Sequence, residues 1–323
     1  MINPLRIVFM GTPEFAVASL DALCNSTHHV VTVVTAPDKP ASRGLKIHSS
    51  AVKEYALQRN IPILQPENLK DPVFLMKIKE LSPDIQVVVA FRMLPEAVWK
   101  LPRFGTINLH ASLLPQYRGA APINRAIMNG EKETGVTTFF INSEIDSGDI
   151  LMQERVPISD NDNAAILHDR LMMKGASLLV KTVDGLSTKT LKPIRQQSFS
   201  LAVLKTAPKI FRNDCRINWN SSSKTIYDFV RGLSPYPGAW TEFIKVNETV
   251  RHRTVLKIYK CSPADYIPGN LGSIMISGQD MYASCSGGRI QLLELQQEGK
   301  KRMSAAEFLR GFQNEGLEQY QLL

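Results

Sequence analysis

Residues 105–125 read GTINLHASLLPQYRGAAPINR. Asn108 and His110 flank Leu109 at the end of a short apolar run, so strand alternation sends both polar side chains to one side and Leu109 to the other. An amide that donates a hydrogen bond, next to an imidazole that holds or passes a proton, suits addition to a carbonyl. Downstream, Glu144-Ile145-Asp146-Ser147-Gly148-Asp149 offers carboxylates in a glycine-containing turn, one of which would orient the histidine. A lone asparagine or histidine is commonly a satisfied structural residue. The paired placement at a strand end is what makes these two candidates.

Positioning such a pair requires a scaffold, and the surrounding pattern supplies one. Apolar runs at 5–10 (LRIVFM), 30–35, 84–90 and 106–109 alternate with helix-like segments at 15–23, 49–59, 71–81 and 120–129, and a longer helix closes the series at 161–185. Val/Ile runs alternating with helices mark strands buried on both faces, hence an α/β domain with a parallel, Rossmann-like sheet. Open parallel sheets place their ligand crevice at the carboxyl ends of the strands, where Asn108 and His110 fall. Thr12 is expected to cap the first helix, with Pro13 at its first position.

From 186 to 205 the pattern dissolves into Ser, Thr, Pro and basic residues, which predicts a linker. Beyond it, Ile226, Phe229, Val230 and Leu233 share a helix face, and short strands follow near 239–246, 253–259, 271–276, 281–285 and 289–295. Five short strands and a helix fit a small β-barrel of the oligonucleotide-binding (OB-like) type. Ser304 and Glu307 form a capping box that opens a terminal helix. The expected domains are thus 1–185 catalytic, 186–205 basic linker and 206–323 barrel.

Charge separates along the same lines. Residues 1–185 carry 19 Lys+Arg against 19 Asp+Glu, residues 186–205 carry 4 against none, and residues 206–323 carry 15 against 11. The net charge of +8 among 323 residues therefore sits in the last two-fifths of the chain, which suggests a polyanionic partner; a solvated basic surface is the alternative. No run approaches the roughly 20 apolar residues of a membrane span. The first strand begins about five residues in and meets Gly11, Pro13 and Glu14, leaving no room for a signal core or transit peptide, so a bacterial cytoplasmic protein is expected. Cys24, Cys215, Cys261 and Cys285 are widely spaced with no C-x-x-C pair, which predicts reduced thiols and no metal. The first turn lacks G-x-G-x-x-G, Gly130–Gly135 has P-loop spacing without the lysine, and no G-x-S-x-G elbow occurs.

The string SLLPQYRGAAPINRAIMNGE, preceded by N-L-H and followed by D-S-G-D-I, resembles the methionyl-tRNA formyltransferase family. The resemblance runs the length of the chain: MGTPEFA at 10–16, PDKPASRGLK at 37–46, RINW at 216–219, VRGLSPYPGAW at 230–240 and GKKRMSAAEFL at 299–309. It implies a catalytic trio at Asn108, His110 and Asp146, with Asp146 chosen over Asp149 only because the family pattern puts the catalytic acid first. It also implies a loop for the donor, 10-formyltetrahydrofolate, at Ser112, Leu113, Leu114 and Pro115. The implied reaction moves the formyl group to the α-amine of initiator methionyl-tRNA, with Asn108 and protonated His110 stabilising the oxyanion and His110 with Asp146 moving protons.

Contacts to tRNA are expected from Lys39, Arg43 and Lys46 in the basic loop, with Arg43 foremost, and from Lys300, Lys301 and Arg302, with a monomer as the working unit. Tyr236 and Trp240 could stack on a base, although a turn packed on its own barrel is the simpler reading. The sequence departs from the family at Arg92, where glycine is usual in a loop lining the folate site, at Gln297 and at Ser42. Two alternatives remain: a folate-dependent formyltransferase acting on a sugar or nucleotide amine, and a non-catalytic tRNA-binding protein.

Overall fold

The computed structural model describes residues 3–40, 47–196, 203–245, 253–267, 269–311 and 320–323. In chain order the elements are β1 (Arg6–Gly11), α1 (Glu14–Cys24), β2 (His29–Val34), β3 (Lys39–Pro40), β4 (Ile47–His48), α2 (Ala51–Gln58), β5 (Ile63–Leu64), α3 (Pro72–Glu80), β6 (Ile85–Val89), α4 (Glu96–Trp99), β7 (Thr106–His110), α5 (Pro122–Met128), β8 (Glu133–Phe140) and β9 (Ile150–Pro157). There follow α6 (Ala164–Ser187), α7 (Ser223–Leu233), β10 (Ala239–Lys245), β11 (Arg253–Ala264), β12 (Ile274–Ser277), β13 (Asp280–Cys285), β14 (Gly288–Gln297), β15 (Met303–Ser304), α8 (Ala305–Arg310) and β16 (Tyr320–Leu322). Two compact units result. One is Met1–Pro122, Glu133–Pro157 and His168–Ala207; the other is Ile123–Lys132, Ile158–Leu167 and Pro208–Leu323.

The first unit is built on a sheet of order β5-β2-β1-β6-β7-β8-β9. The chain moves outward from β1 through β2 to β5, then returns to β6 on the other side of β1, which creates a topological switch beside the strands that carry the candidate residues. The strands from β5 to β7 pair in parallel. Strands β1 and β6 are buried along nearly their whole length, which is why they read as unbroken Val/Ile runs. Val8, Met10, Val34 and Val88 pack with Phe74 and Ile78 of α3 and Val98 of α4. At the strand amino ends the buried His28 accepts the Leu5 N–H at Nδ1 (3.1 Å), which leaves Nε2–H for Asp184 Oδ1 at 3.0 Å.

Two features differ from the sequence expectation. Strands β8 and β9 extend the sheet antiparallel to β7, so it is mixed at that edge. The glycines that gave 130–135 its P-loop spacing belong to a turn and to the start of β8. Helix α1 begins at Glu14, and Pro13 occupies the cap in an extended conformation (φ −81°, ψ 175°) with no side-chain cap bond, so Thr12 is one residue too early.

The second unit is a nearly closed antiparallel barrel of order β12-β13-β14-β11-β10-β16, with β15 on β14. A bridge between Ser273 and Gln321 brings the two outer strands together. Helix α7 buries Ile226, Val230 and Leu233 at i, i+4 and i+7 in a core that includes Phe243, Leu256, Met281 and Leu292. The Ser222 side chain accepts the Thr225 N–H at its start. At α8, Ser304 and Glu307 form the expected reciprocal capping box. Among the described residues no helix is long and apolar enough to cross a membrane.

Candidate active site

Strand β7 carries Asn108 and His110 to its carboxyl end, paired across to Phe139 and Thr137 of β8. Leu109 between them is buried on the opposite face. His110 is itself buried, with Nε2 2.9 Å from the carbonyl oxygen of Tyr117 and Nδ1 3.7 Å from Asp146 Oδ2. A carbonyl oxygen only accepts, so the bond to Tyr117 assigns a proton to Nε2 and leaves Nδ1 as the ring's acceptor. Asp146 Oδ2 also accepts the Gly119 N–H at 2.9 Å. Asp146 adopts φ +51°, a left-handed conformation that a short polar side chain tolerates. Asn108 Oδ1 is buried without a hydrogen-bond partner among the described residues.

The Ser112–Pro115 segment follows directly. The Ser112 hydroxyl donates to Gln116 O at 2.6 Å, and Leu114 and Pro115 are buried. Behind it stands Thr137, whose hydroxyl donates to Ser112 O (2.6 Å) and accepts from Leu114 N–H (3.1 Å) and Gln153 Nε2 (2.9 Å). Gln153 Nε2 also donates to Leu114 O at 2.8 Å. The loop's backbone polar groups are thus held by side chains from the antiparallel strands β8 and β9.

Lys205, read from the sequence as the end of the linker, and Ala207, read as the start of the barrel domain, pair with this loop instead. Tyr117 N–H donates to Lys205 O (2.7 Å), Ala207 N–H to Arg118 O (2.8 Å) and Ala121 N–H to Ala207 O (3.1 Å). Gly119 is required here: at φ +125° a Cβ would stand 2.4 Å from Ala207 O. Tyr117, Thr137, Gln153 and Gln196 were not found by sequence reasoning, because their roles depend on partners far away in the chain.

The residues expected to meet tRNA are scattered differently. Lys39 lies in β3, paired with His48 of β4; Arg43, Lys46 and Ser42 lie outside the described residues. At the base of this hairpin Lys53, with help from Gln65, holds the Asp38 carboxyl below the usual carboxylate range. Lys300, Lys301 and Arg302 are exposed on the second unit. Arg302 is engaged there, donating to Glu294 Oε2 at 2.6 Å and lying over the Tyr259 ring at 4.3 Å. Trp240 donates to Arg212 O and is flanked by the Arg212 and Arg216 guanidinium groups, whereas Tyr236 is 83% exposed. In the first unit Arg92 is turned onto the backbone carbonyls of Pro66 and Glu67. Among the described residues no group of three or more His, Cys, Asp or Glu is arranged to hold a metal ion.

Family models match both parts of the chain: formyl transferase over residues 5–183 and the formyl transferase C-terminal domain over 209–313. The methionyl-tRNA formyltransferase of Bacteroides thetaiotaomicron is 51% identical over 310 residues, covering 95% of this chain and 96% of that protein. That of Parabacteroides distasonis is 52% identical over 315 residues, with 95% and 96% covered. Among solved structures, HypX from Aquifex aeolicus in complex with tetrahydrofolic acid shares the fold at a TM-score of 0.61 and 18% identity, over 97% of this chain and 48% of that one. The N-formyltransferase from Helicobacter canadensis, in complex with folinic acid and dTDP-3-aminofucose, does so at 0.61 and 21%, over 93% of this chain and all of that one. Identity near one half over almost the full length goes well beyond a shared fold, and the chain belongs to the methionyl-tRNA formyltransferase family.

Proposed function

We propose that this protein transfers the formyl group of 10-formyltetrahydrofolate to the α-amine of initiator methionyl-tRNA, giving formyl-methionyl-tRNA for translation initiation. The observation that carries the reading is the half-buried Asn108, its amide left without a partner at the buried Oδ1, beside a histidine that has one nitrogen committed and one facing a carboxylate. The NH₂ end of that amide is the donor that would meet the oxygen of a formyl group.

In this mechanism the neutral amine attacks the formyl carbon, a C–N bond forms, and charge collects on the formyl oxygen, where Asn108 stabilises it. His110 takes the amine proton at Nδ1, with Asp146 beside it to stabilise the imidazolium, and delivers that proton to N10 of folate as its C–N bond breaks. An aminoacyl ester lowers amine basicity, so part of the nucleophile is neutral near pH 7. The rigid segment Ser112, Leu113, Leu114 and Pro115 would form a wall for the folate donor.

The division of charge supports the rest of the reading. The catalytic part at 1–185 is neutral, while the basic stretch 186–205 and the OB-like barrel part at 206–323 would meet the tRNA body. Lys39, Arg43 and Lys46 would meet its acceptor end. Lys300 and Lys301 would contact phosphate, and Arg302, already bound to Glu294, would act chiefly by shaping that surface. We place the enzyme in the bacterial cytoplasm, a reading supported by bacterial relatives, and take a monomer as its working unit.

The experiment is a formyl-transfer assay with 10-formyltetrahydrofolate and four acceptors: initiator methionyl-tRNA, elongator methionyl-tRNA, free methionine and an amino sugar nucleotide. Preferential formylation of initiator methionyl-tRNA supports the proposal. Formylation of the sugar nucleotide alone, or tRNA binding with no transfer to any acceptor, overturns it in favour of one of the two alternatives.

A further inference from the structure

Gln196 lies in the basic stretch after α6 and is 3% exposed. Its amide uses every hydrogen-bonding position it has. Nε2 donates to Asp146 O (2.9 Å) and Gly148 O (2.8 Å), and Oε1 accepts from Arg118 Nε (3.0 Å) and Nη2 (2.6 Å). This geometry also fixes the orientation of the amide. The reverse placement would set an NH₂ against a guanidinium and an oxygen against two carbonyls, with all four bonds lost.

The two loops that Gln196 ties together are the ones that the trio spans. Tyr117 O bonds His110 Nε2, Arg118 bonds Gln196, and Gly119 N–H bonds the Asp146 carboxylate, so three consecutive residues reach His110, Gln196 and Asp146 in turn. On the other loop, Asn142 orders the outer part of the 142–149 turn by accepting from Glu144 N–H and Ser147 Oγ. The backbone at 146–148 is held from within by Gln196. Gly148 fits there because a Cβ would stand 1.7 Å from Phe140 O. The distance between Asp146 and His110 is therefore set from both sides by one side chain that touches neither carboxylate nor imidazole.

We propose that Gln196 is a positioning residue for catalysis, holding the Asp146 carboxylate at its working distance from His110. The proposal rests on the formyl-transfer reading above. Gln196 acts through Asp146, so its removal should slow the chemical step while leaving both substrates bound as before. Displacement of a catalytic group by about 1 Å can cost on the order of 10²-fold in rate.

The test is a double-mutant cycle in the full-length enzyme with wild type, Gln196→Met, Asp146→Asn and the double variant, assayed for formyl transfer from 10-formyltetrahydrofolate to methionyl-tRNA. Long incubations with radiolabelled methionine give the slow rates. Expected is a fall in kcat of about 10-fold or more for Gln196→Met with both KM values within about 2-fold, and a further loss of less than about 2-fold when Asp146→Asn is already present. Should Gln196→Met not fold, Gln196→Glu keeps the acceptor for Arg118, loses both donors and enters the same cycle. An unchanged kcat, a change in KM alone, or an equal fold-loss in both backgrounds overturns the positioning role and leaves the reaction standing. No transfer by wild type overturns the reaction itself, and the role with it.

Discussion

His110 Nδ1 lies 3.7 Å from Asp146 Oδ2, while Nε2 of the same ring is 2.9 Å from Tyr117 O. The first distance is too long for a hydrogen bond and short enough for an ion pair, so in the proposed mechanism the carboxylate would act on the imidazolium formed during proton transfer. Glu144 and Asp149 share the turn with Asp146 but have different surroundings: Glu144 is exposed, and Asp149 joins β8 through its backbone carbonyl, which accepts the Phe140 N–H at 3.0 Å. Asp146→Asn is expected to lower kcat by roughly 10²-fold or more, within the range of acid–base assistance, and Asp149→Asn to stay within about 2-fold. Steady-state rates of the two purified variants decide between these carboxylates.

Thr137 is fully buried and makes three hydrogen bonds that shape the 112–115 loop, proposed above to meet the folate donor. Thr137→Val keeps the volume but strands the Leu114 N–H and one bond of Gln153. Leaving buried donors unpaired costs about 1–3 kcal/mol. Denaturant unfolding should show a loss of that order, and the KM for 10-formyltetrahydrofolate should rise more than the KM for tRNA.

Hydrogen bonds from the Ser304 backbone and hydroxyl lower the Glu307 pKa below its ordinary 4.5. A carboxyl depressed in the folded state contributes stability that is complete above the unfolded value and disappears as pH falls through the folded one. The difference in Tm between wild type and Glu307→Gln should therefore be constant above about pH 5 and shrink as the pH is lowered toward 3. A difference that grows in that direction would mean that the capping box is not what holds the charge.

Burial pushes the Cys261 thiol up to about 12 and raises Cys215 and Cys285 as well. At pH 8 about one Cys261 side chain in ten thousand would be thiolate, the reactive form. Native protein treated with iodoacetamide should leave these three barrel-unit cysteines unlabelled by mass spectrometry, and unfolding in guanidinium should expose all of them. Rapid labelling of native Cys261 would contradict its placement in the core.

What the sequence made readable was local. The end of β7 with its alternating Asn108 and His110, the apolar face of α7 and the Ser304 capping box all follow from residues a few positions apart, and each stands where periodicity put it. Strands β8 and β9 escaped notice because glycine and threonine dilute the apolar pattern at 133–140, and their pairing is decided by neighbours in space. Thr137 and Gln196 escaped for the same reason: Gln196 reaches back 78 positions to Arg118, and nothing in a basic, acid-free stretch announces a buried amide. The choice of Asp146 among the carboxylates of its turn rested on family resemblance. The structure adds a distance to His110 and a backbone donor, Gly119.

The account stands or falls on whether this imidazole moves the proton. The decisive measurement is the rate of formyl-methionyl-tRNA formation by purified wild type and His110→Ala at saturating donor and acceptor, with circular dichroism and melting confirming that the variant is folded. A rate lower by about 10²-fold or more with the fold intact is the predicted result. A folded His110→Ala variant that transfers formyl groups at close to the wild-type rate would contradict it.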